Sequence, residues 1–368
     1  MLVDFNNIHI PDEKLNLVVE ESLNKVKKIH RRNRLRRITG GTIAAAAAAV
    51  IVLTGICASN PVIAEQFTKL GEIFGLVENE QDYPGDYSSV SVPVPGTNVS
   101  QSEGITITLS EFVCSGESLN VSVLIESEVP FPEPLRQSVA DADKSGGSYL
   151  MLVTEQDTDF ADLPMNPDGN LYVEAEGAFQ DEYTFAGAFR IDFNVYPYAL
   201  YEIPDSFTWD LKITNIYGPD WTGQPDSPLS LPGEWTFSSQ ITRQEIDTKT
   251  VDVNQYAPNG DGIVSVTITP YEVDVEMGYD EGKVQPGYER FDSIQSVMLD
   301  GSGKLIEDNI GLFSPDGYDL SMITVYYMET PDEASWLEIQ DKLLDEDFAP
   351  QLQEYLEDIA IQKIEIPL

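Results

Sequence analysis

The sequence predicts a mainly β protein: an N-terminal amphipathic helix and a single transmembrane helix, then a β-sandwich and a second β-rich, α+β domain. Three observations carry that prediction. An uncharged run separates a basic head from an acidic body. From Gly104 onward, polar and apolar side chains alternate with a period of two, the spacing of half-buried strands. One long stretch near the C-terminal end returns to helical spacing. The 368 residues give room for about two to three domains. A hydrophobic fraction of 42% with 17 Tyr is enough for packed cores, which argues against wholesale disorder.

The formal charge of −42 is unevenly placed. Residues 1–37 carry nine Lys/Arg against five acids, a net +4, which leaves −46 on the remainder. Such a contrast suits two environments. The uncharged run, Ile38 to Ser59, is long enough to span a membrane, since about 20 helical residues cross a hydrocarbon core of about 30 Å. Its hydrophobicity is moderate because Ala44 to Ala49 contribute little. Ile38, Ile43, Val50, Ile51, Val52, Leu53 and Ile56 together supply roughly −2 to −4 kcal/mol of insertion energy. Eight cations precede it: Lys25, Lys27, Lys28, Arg31, Arg32, Arg34, Arg36 and Arg37. By the positive-inside rule they determine topology, placing the N-terminus in the cytoplasm and the C-terminal domains outside the cell. Two other readings compete, a signal peptide cleaved after Ala64 and a lipoprotein signal ending at Cys57. The long head is unlike the short charged region of a signal peptide, and Ile56 stands where a lipidation signal needs a small side chain. A retained single-pass anchor in the cell membrane is the favoured reading.

The head, residues 1–37, holds more than charge. "IPDEKLNLVVEESLNKVKKI" reads as a helix entered at Pro11, with Asp12 and Glu13 in the first turn where the helix dipole favours acids. Leu15, Val18, Val19, Leu23, Val26 and Ile29 recur at three- and four-residue spacing and form an apolar stripe. A lone helix has no core in which to bury it. The stripe therefore calls for a partner: another protein, a second copy, or the inner surface of the lipid bilayer. The cations are accounted for by topology, so direct nucleic-acid binding is not expected. The apolar stripe is not accounted for in that way, and it reads as a docking face.

Beyond the span (38–59), "NPVIAEQFTKLGEIFGLV" predicts a juxtamembrane helix over 60–78, with Phe67, Leu70, Phe74 and Val77 on one side. Residues 79–99, rich in Ser, Pro, Gly and acids, read as an extended linker. Residues 100–245 carry the strands expected of an extracellular β-sandwich, beginning with a hairpin about Ser115–Ser118. Residues 246–368 read as an extracellular α+β domain: further strands, a turn at Gly301–Gly303, the helical stretch "PDEASWLEIQDKLLDEDFAPQLQEYLEDIA", and a final strand in "IQKIEIPL".

Searches for chemistry yield no catalytic, cofactor-binding or metal-ligating residue, and the chain is not expected to be an enzyme. The two histidines, His9 and His30, both lie in the head, which leaves no His-based triad or His metal site for the outer region. Cys57 and Cys114 make no disulfide framework. "PNGDG", Pro258 to Gly262, lacks the ligand spacing of a calcium loop and reads as a turn. With 63 acids, any pair of carboxylates can be drawn and none is informative.

The layout resembles a family. A short basic amphipathic head, one span, the segments "NPVIAEQF" and "LGEIFGLVE", and an outer β-region are similar to membrane-anchored regulators of Gram-positive bacteria. These carry a domain of unknown function and resemble anti-sigma factors. The resemblance is fullest over residues 1–130, and the unit ending "IEIPL" is similar to a second domain found behind it. The head lacks the His/Cys motif of zinc-type anti-sigma domains. The resemblance implies that the stripe covers an apolar groove on an extracytoplasmic-function sigma factor. It also implies that the outer domains sense an unidentified envelope ligand, with the signal relayed by regulated proteolysis. A second reading, from a different class, is a surface-anchored binding or adhesion protein whose acidic β-domains take cations, a cationic polymer or glycan. A mere anchor would tolerate polar residues at Val19, Leu23 and Val26; a docking helix would not.

Overall fold

The period-two alternation becomes strands. In the computed structural model, β1 (Val92–Pro93), β2 (Val99–Ser102), β3 (Ile105–Cys114), β4 (Ser118–Ser127), β5 (Tyr149–Thr158), β6 (Leu171–Phe179), β7 (Thr184–Asp192), β8 (Ser206–Tyr217) and β9 (Ser230–Thr242) form one antiparallel sheet. Their order is β1-β3-β4-β7-β6-β5-β8-β9, with β2 paired to β3 beside β1. The structure describes residues 73–78, 82–142, 147–161, 171–223, 227–289, 294–307, 311–330, 333–345 and 347–368. All of them fall in one unit of the chain, Ile56–Leu368.

The expected sandwich takes the form of a single sheet curled on itself. Trp235, Phe237 and Ile241 of β9 point inward while Thr236, Ser238 and Gln240 face solvent, and the same alternation on β3 to β8 encloses one core. The last strand is brought back to the first. Thr97 N donates to Ser238 O at 3.0 Å, and Ser100 Oγ and Ser102 Oγ accept from Thr236 N and Glu234 N, each at 3.0 Å. Inside, the Trp235 indole donates to Ile105 O at 3.0 Å. Two facing sheets and one curled sheet show the same inward pattern, so alternation alone does not separate them. Between β4 and β5, helix α2 (Glu133–Ala142) follows the short α1 (Phe74–Val77) in chain order and buries Leu135 and Val139 against this core.

The C-terminal part is layered. β10 (Lys249–Tyr256), β11 (Asp261–Ile268) and β12 (Val273–Tyr279) form a sheet with the later β14 (Leu312–Phe313); β13 (Ile294–Asp300), β15 (Met322–Glu329) and β16 (Gln362–Pro367) form another. β15 is buried on both faces. Ile323, Val325 and Tyr327 share a core with Val266, Val273 and Val275 of the first sheet, and Tyr326 and Met328 pack under α3 (Glu333–Leu343) and α4 (Ala349–Ile359). The helical stretch forms two helices, because Pro350 cannot continue a helix but suits the first turn of a new one. "PNGDG" closes the β10–β11 hairpin, with Gly260 N donating to Ala257 O and Gly260 at φ +92°, where a side chain would be strained.

Trp235→Phe tests the closure. It removes the indole donor and strands a buried carbonyl, so urea unfolding should report a loss of about 1–3 kcal/mol. An unchanged midpoint would mean that the Trp235–Ile105 bond does not hold the curl.

Candidate functional site

Residues 73–78 and the stretch from 82, here called the stem, pack where the two parts of the described structure meet. Phe74 and Val77 of α1, with Tyr83 and Tyr87, are completely or almost completely buried, in one cluster with Val113, Ala188 and Tyr271. Of residues 79–99, expected as an extended linker, the described part from 82 carries two core tyrosines. Phe74 and Tyr87 stack with ring centroids 5.9 Å apart, Tyr83 meets Tyr87 edge-on at 5.1 Å, and Tyr87 meets Tyr271 at 4.6 Å.

The cluster lies on a face that sequence alone assigns to solvent. Asn120 and Ser122 of β4 pair with Arg190 and Ala188 of β7, and both are fully buried. Small side chains there leave room for the aromatic segment. From the C-terminal half comes the β11–β12 turn, Thr269 to Glu272. Thr269 Oγ1 accepts from Tyr271 N (3.3 Å) and Glu272 N (3.0 Å), which shapes the tip. Tyr271 reaches the tyrosines and Glu272 reaches Arg190. At Gly85 the backbones approach so closely that a Cβ would lie 2.0 Å from Tyr271 O.

The electrostatic centre is Arg190. Its Nη1 donates to Glu272 Oε2 at 2.8 Å and its Nε to Asp192 Oδ1 at 2.6 Å, with the Arg190 and Glu272 side chains only 8% and 3% exposed. Tyr87 Oη donates to the same Glu272 oxygen. Burial works against the Arg190 charge, and Glu272, Tyr87 and Asp192 more than offset it, raising its pKa. Further acids crowd the same field. Burial pushes Asp82 upward despite Arg190, and it pushes Asp274 up to about 6, with Glu272, Asp192 and Glu117 adding to the rise. Tyr83 Oη and Asn120 Oδ1 are buried with no hydrogen-bond partner among the described residues. Each such atom costs about 1–3 kcal/mol. The joint is well packed but electrostatically loaded. Nearby Cys114 is no nucleophile, since burial pushes its thiol up to about 12.

The residues singled out from sequence as sites lie elsewhere. The stripe Leu15, Val18, Val19, Leu23, Val26 and Ile29, the cations between Lys25 and Arg37, the span 38–59, and Phe67 and Leu70 are all outside the described residues. Of the predicted juxtamembrane helix, Phe74 and Val77 are described, and both are buried. No described helix is long and apolar enough to cross a membrane. Tyr83, Tyr87, Arg190 and Glu272 escaped the sequence reading. The available signal was an aromatic pair at four-residue spacing, Tyr83 and Tyr87, inside an otherwise Pro/Gly/Ser-rich stretch.

Comparison with known proteins adds a family match over part of the chain. Residues 34–127 match a domain of unknown function (DUF4179), a stretch covering the uncharged run, the stem segment and β1 to β4. No curated protein matches. Among solved structures the chain is similar to the conserved domain protein from Bacillus anthracis, known from a crystal structure. The two share 13% identity over 66% of this chain and 78% of that one, with a TM-score of 0.42, too low to carry an argument.

Two measurements probe the joint. Gly85→Ala should force Tyr271 away and raise amide exchange at Tyr87 and Glu272, while Gly75→Ala, where a Cβ meets only Ser88 Oγ at 3.6 Å, should not. Equal exchange in the two variants would refute the close approach. The pH response follows from Asp274. The folded protein takes up its proton as pH falls through about 6, whereas the unfolded chain does so near the ordinary carboxyl value of about 3.9. The folded state therefore binds more protons in that window, and stability should rise from pH 7 to pH 5. Urea midpoints at pH 7, 6 and 5 should climb, and Asp274→Asn should flatten the climb.

Proposed function

We propose that the chain is a single-pass membrane regulator of the anti-sigma type. In this reading the cytoplasmic helix holds an extracytoplasmic-function sigma factor at the membrane through Leu15, Val18, Val19, Leu23, Val26 and Ile29. The outer domains sense an envelope signal, and residues 38–59 join the two compartments. The observation that carries the reading is the clamp on the stem. Phe74, Tyr83 and Tyr87, which follow the uncharged run in the chain, are held between Val113 and Ala188 of β3 and β7 on one side and the Tyr271–Glu272 turn on the other.

That arrangement gives a physical route for a signal. Separating the two outer domains breaks the Tyr87–Glu272 and Arg190–Glu272 bonds together, because both end on one carboxylate oxygen. The stem then loses its cover and becomes available to a protease or to a change in span position. A surface binder has no need to bury its stem at a domain joint. The amphipathic stripe and the match over residues 34–127 support the same reading.

Co-purification from native membranes through a C-terminal tag tests this function. A sigma factor should accompany the intact chain, and Leu23→Asp with Val26→Asp should abolish its recovery, because two charges cannot be buried in an apolar groove. An intact chain that brings down no sigma factor would overturn the regulator. A fragment beginning near Glu65 would show that the head is a removed export signal.

A further inference from the structure

The loop joining β7 to β8, residues 193–205, departs from the surface around it. Val195, Tyr196 and Leu200 are 57%, 63% and 63% exposed, although Phe193 and Tyr198 on the same loop are buried. The exposed side chains are not on a slack segment. Tyr198 Oη donates to the buried Gln156 at 2.7 Å, Ala199 N donates to Val195 O at 3.0 Å, and Tyr201 N donates to Tyr198 O at 2.9 Å. Asn194 Nδ2 ties the loop to Glu117 of the β3–β4 turn. Three large apolar side chains are thus held out to water by an anchored backbone, the pattern of a contact surface.

Beside them opens a cleft of about 580 Å³ that spans both outer domains. Asn194, Tyr201, Glu202, Asp205 and Arg243 line it from the curled sheet, and Glu276 of β12 lines it from the C-terminal domain. The one cation among these, Arg243, bonds Asp205 Oδ1 at 2.6 Å, but the two side chains are 36% and 90% exposed. A competing cation can exchange such a pair at little cost. The cleft therefore offers carboxylates and the loop offers apolar surface.

We propose that this cleft and loop bind a cationic amphipathic peptide. Its apolar side chains would cover Val195, Tyr196 and Leu200, and its Lys or Arg side chains would meet Glu202, Asp205 and Glu276. The Tyr196 ring supplies a further face for a cation. Charge selects this occupant. The chain beyond residue 37 carries −46, so a second copy or any anionic ligand meets repulsion, whereas a basic partner is drawn in. Bridging Asp205 and Glu276 would also bear on the angle at the Arg190–Glu272 joint. That consequence rests on the regulator reading; the binding itself does not.

The full-length chain in phosphatidylcholine nanodiscs, which offer the peptide no anionic lipid, can be titrated with a labelled amphipathic Lys/Leu peptide. A Lys/Ser peptide of equal charge serves as comparison. The Lys/Leu peptide should bind at least about tenfold more tightly than Lys/Ser. Val195→Ser, Tyr196→Ser and Leu200→Ser combined should remove that advantage, and Glu202→Gln with Glu276→Gln should weaken both peptides. Unfolding midpoints check that these surface variants stay folded. Equal affinity of the wild type and the triple Ser variant would overturn the proposal. So would light scattering that shows a dimer broken by the triple variant, since the face would then belong to a second copy. Loss of sigma-factor recovery from membranes would leave the peptide result standing, and unchanged peptide affinity alongside sigma-factor recovery would remove only the ligand.

Discussion

The contact between Arg190 and Glu272 joins the curled sheet to the C-terminal domain, and Tyr87 of the stem ends on the same carboxylate. A guanidinium on the outer face of a strand would ordinarily sit in water. Here the turn at Thr269–Glu272 and the tyrosines of the stem remove that water, leaving the Arg190 side chain 8% exposed. Burying an ion pair is seldom a net source of stability, because both charges lose hydration. Its effect is to fix geometry. One carboxylate oxygen receives both Arg190 and Tyr87, so the stem, the curled sheet and the C-terminal domain are fitted to the same point.

The alternation in "LNVSVLIES" announced β4, and the hairpin at Ser115–Ser118 was legible from its turn residues. A period of two says that a strand has two different faces. It does not say what lies on each. Asn120 and Ser122 are polar and small, yet both are fully buried, beside Val113 and Ala188 of the aromatic cluster. Tyr83 and Tyr87 stand among Pro, Gly and Ser without periodicity, since each is placed by a partner far along the chain rather than by a local element. Gly85 looked like a linker glycine, and its need is set by Tyr271, more than 180 residues away. Helix α2 is short, with Pro132 before it, Pro134 in its first turn and Gly146–Gly147 soon after it, and this punctuation hid its spacing. The joint is a site made by tertiary contacts, and a one-dimensional pattern does not encode it.

Charge acts on two scales. Across the chain beyond residue 37, −46 favours solubility and disfavours self-association. Locally, several of the described cations pair with acid neighbours. Lys212 lies 3.3 Å from both Glu155 and Glu234, and Lys363 reaches Glu357 and Glu365. These exposed pairs contribute little to stability. At the joint the same imbalance matters more, because burial prevents screening. Burial, with smaller additions from Glu272 and Asp192, shifts Asp82 and Asp274 upward despite Arg190, so the excess of acid weighs most at the joint whose opening is proposed above.

Where such opening could occur is narrowly bounded by the connector. Gln244 is fastened to the curled sheet: its N donates to Cys114 O at 3.0 Å, its Oε1 accepts from Cys114 N, and its Nε2 donates to Phe112 O at 3.2 Å. β10 begins at Lys249. Any hinge between the domains is confined to the residues between them, and Ile246 among these packs against the stem cluster itself. A hinge that short gives little free translation, so relative motion of the domains must be largely rotation about the connector. The Glu272 carboxylate, which holds Tyr87, belongs to the domain beyond the connector, so a rotation there would carry it relative to the curled sheet. In the regulator proposed above, the stem is coupled to the angle between the domains through this contact, and a ligand that spans them acts on it without touching it.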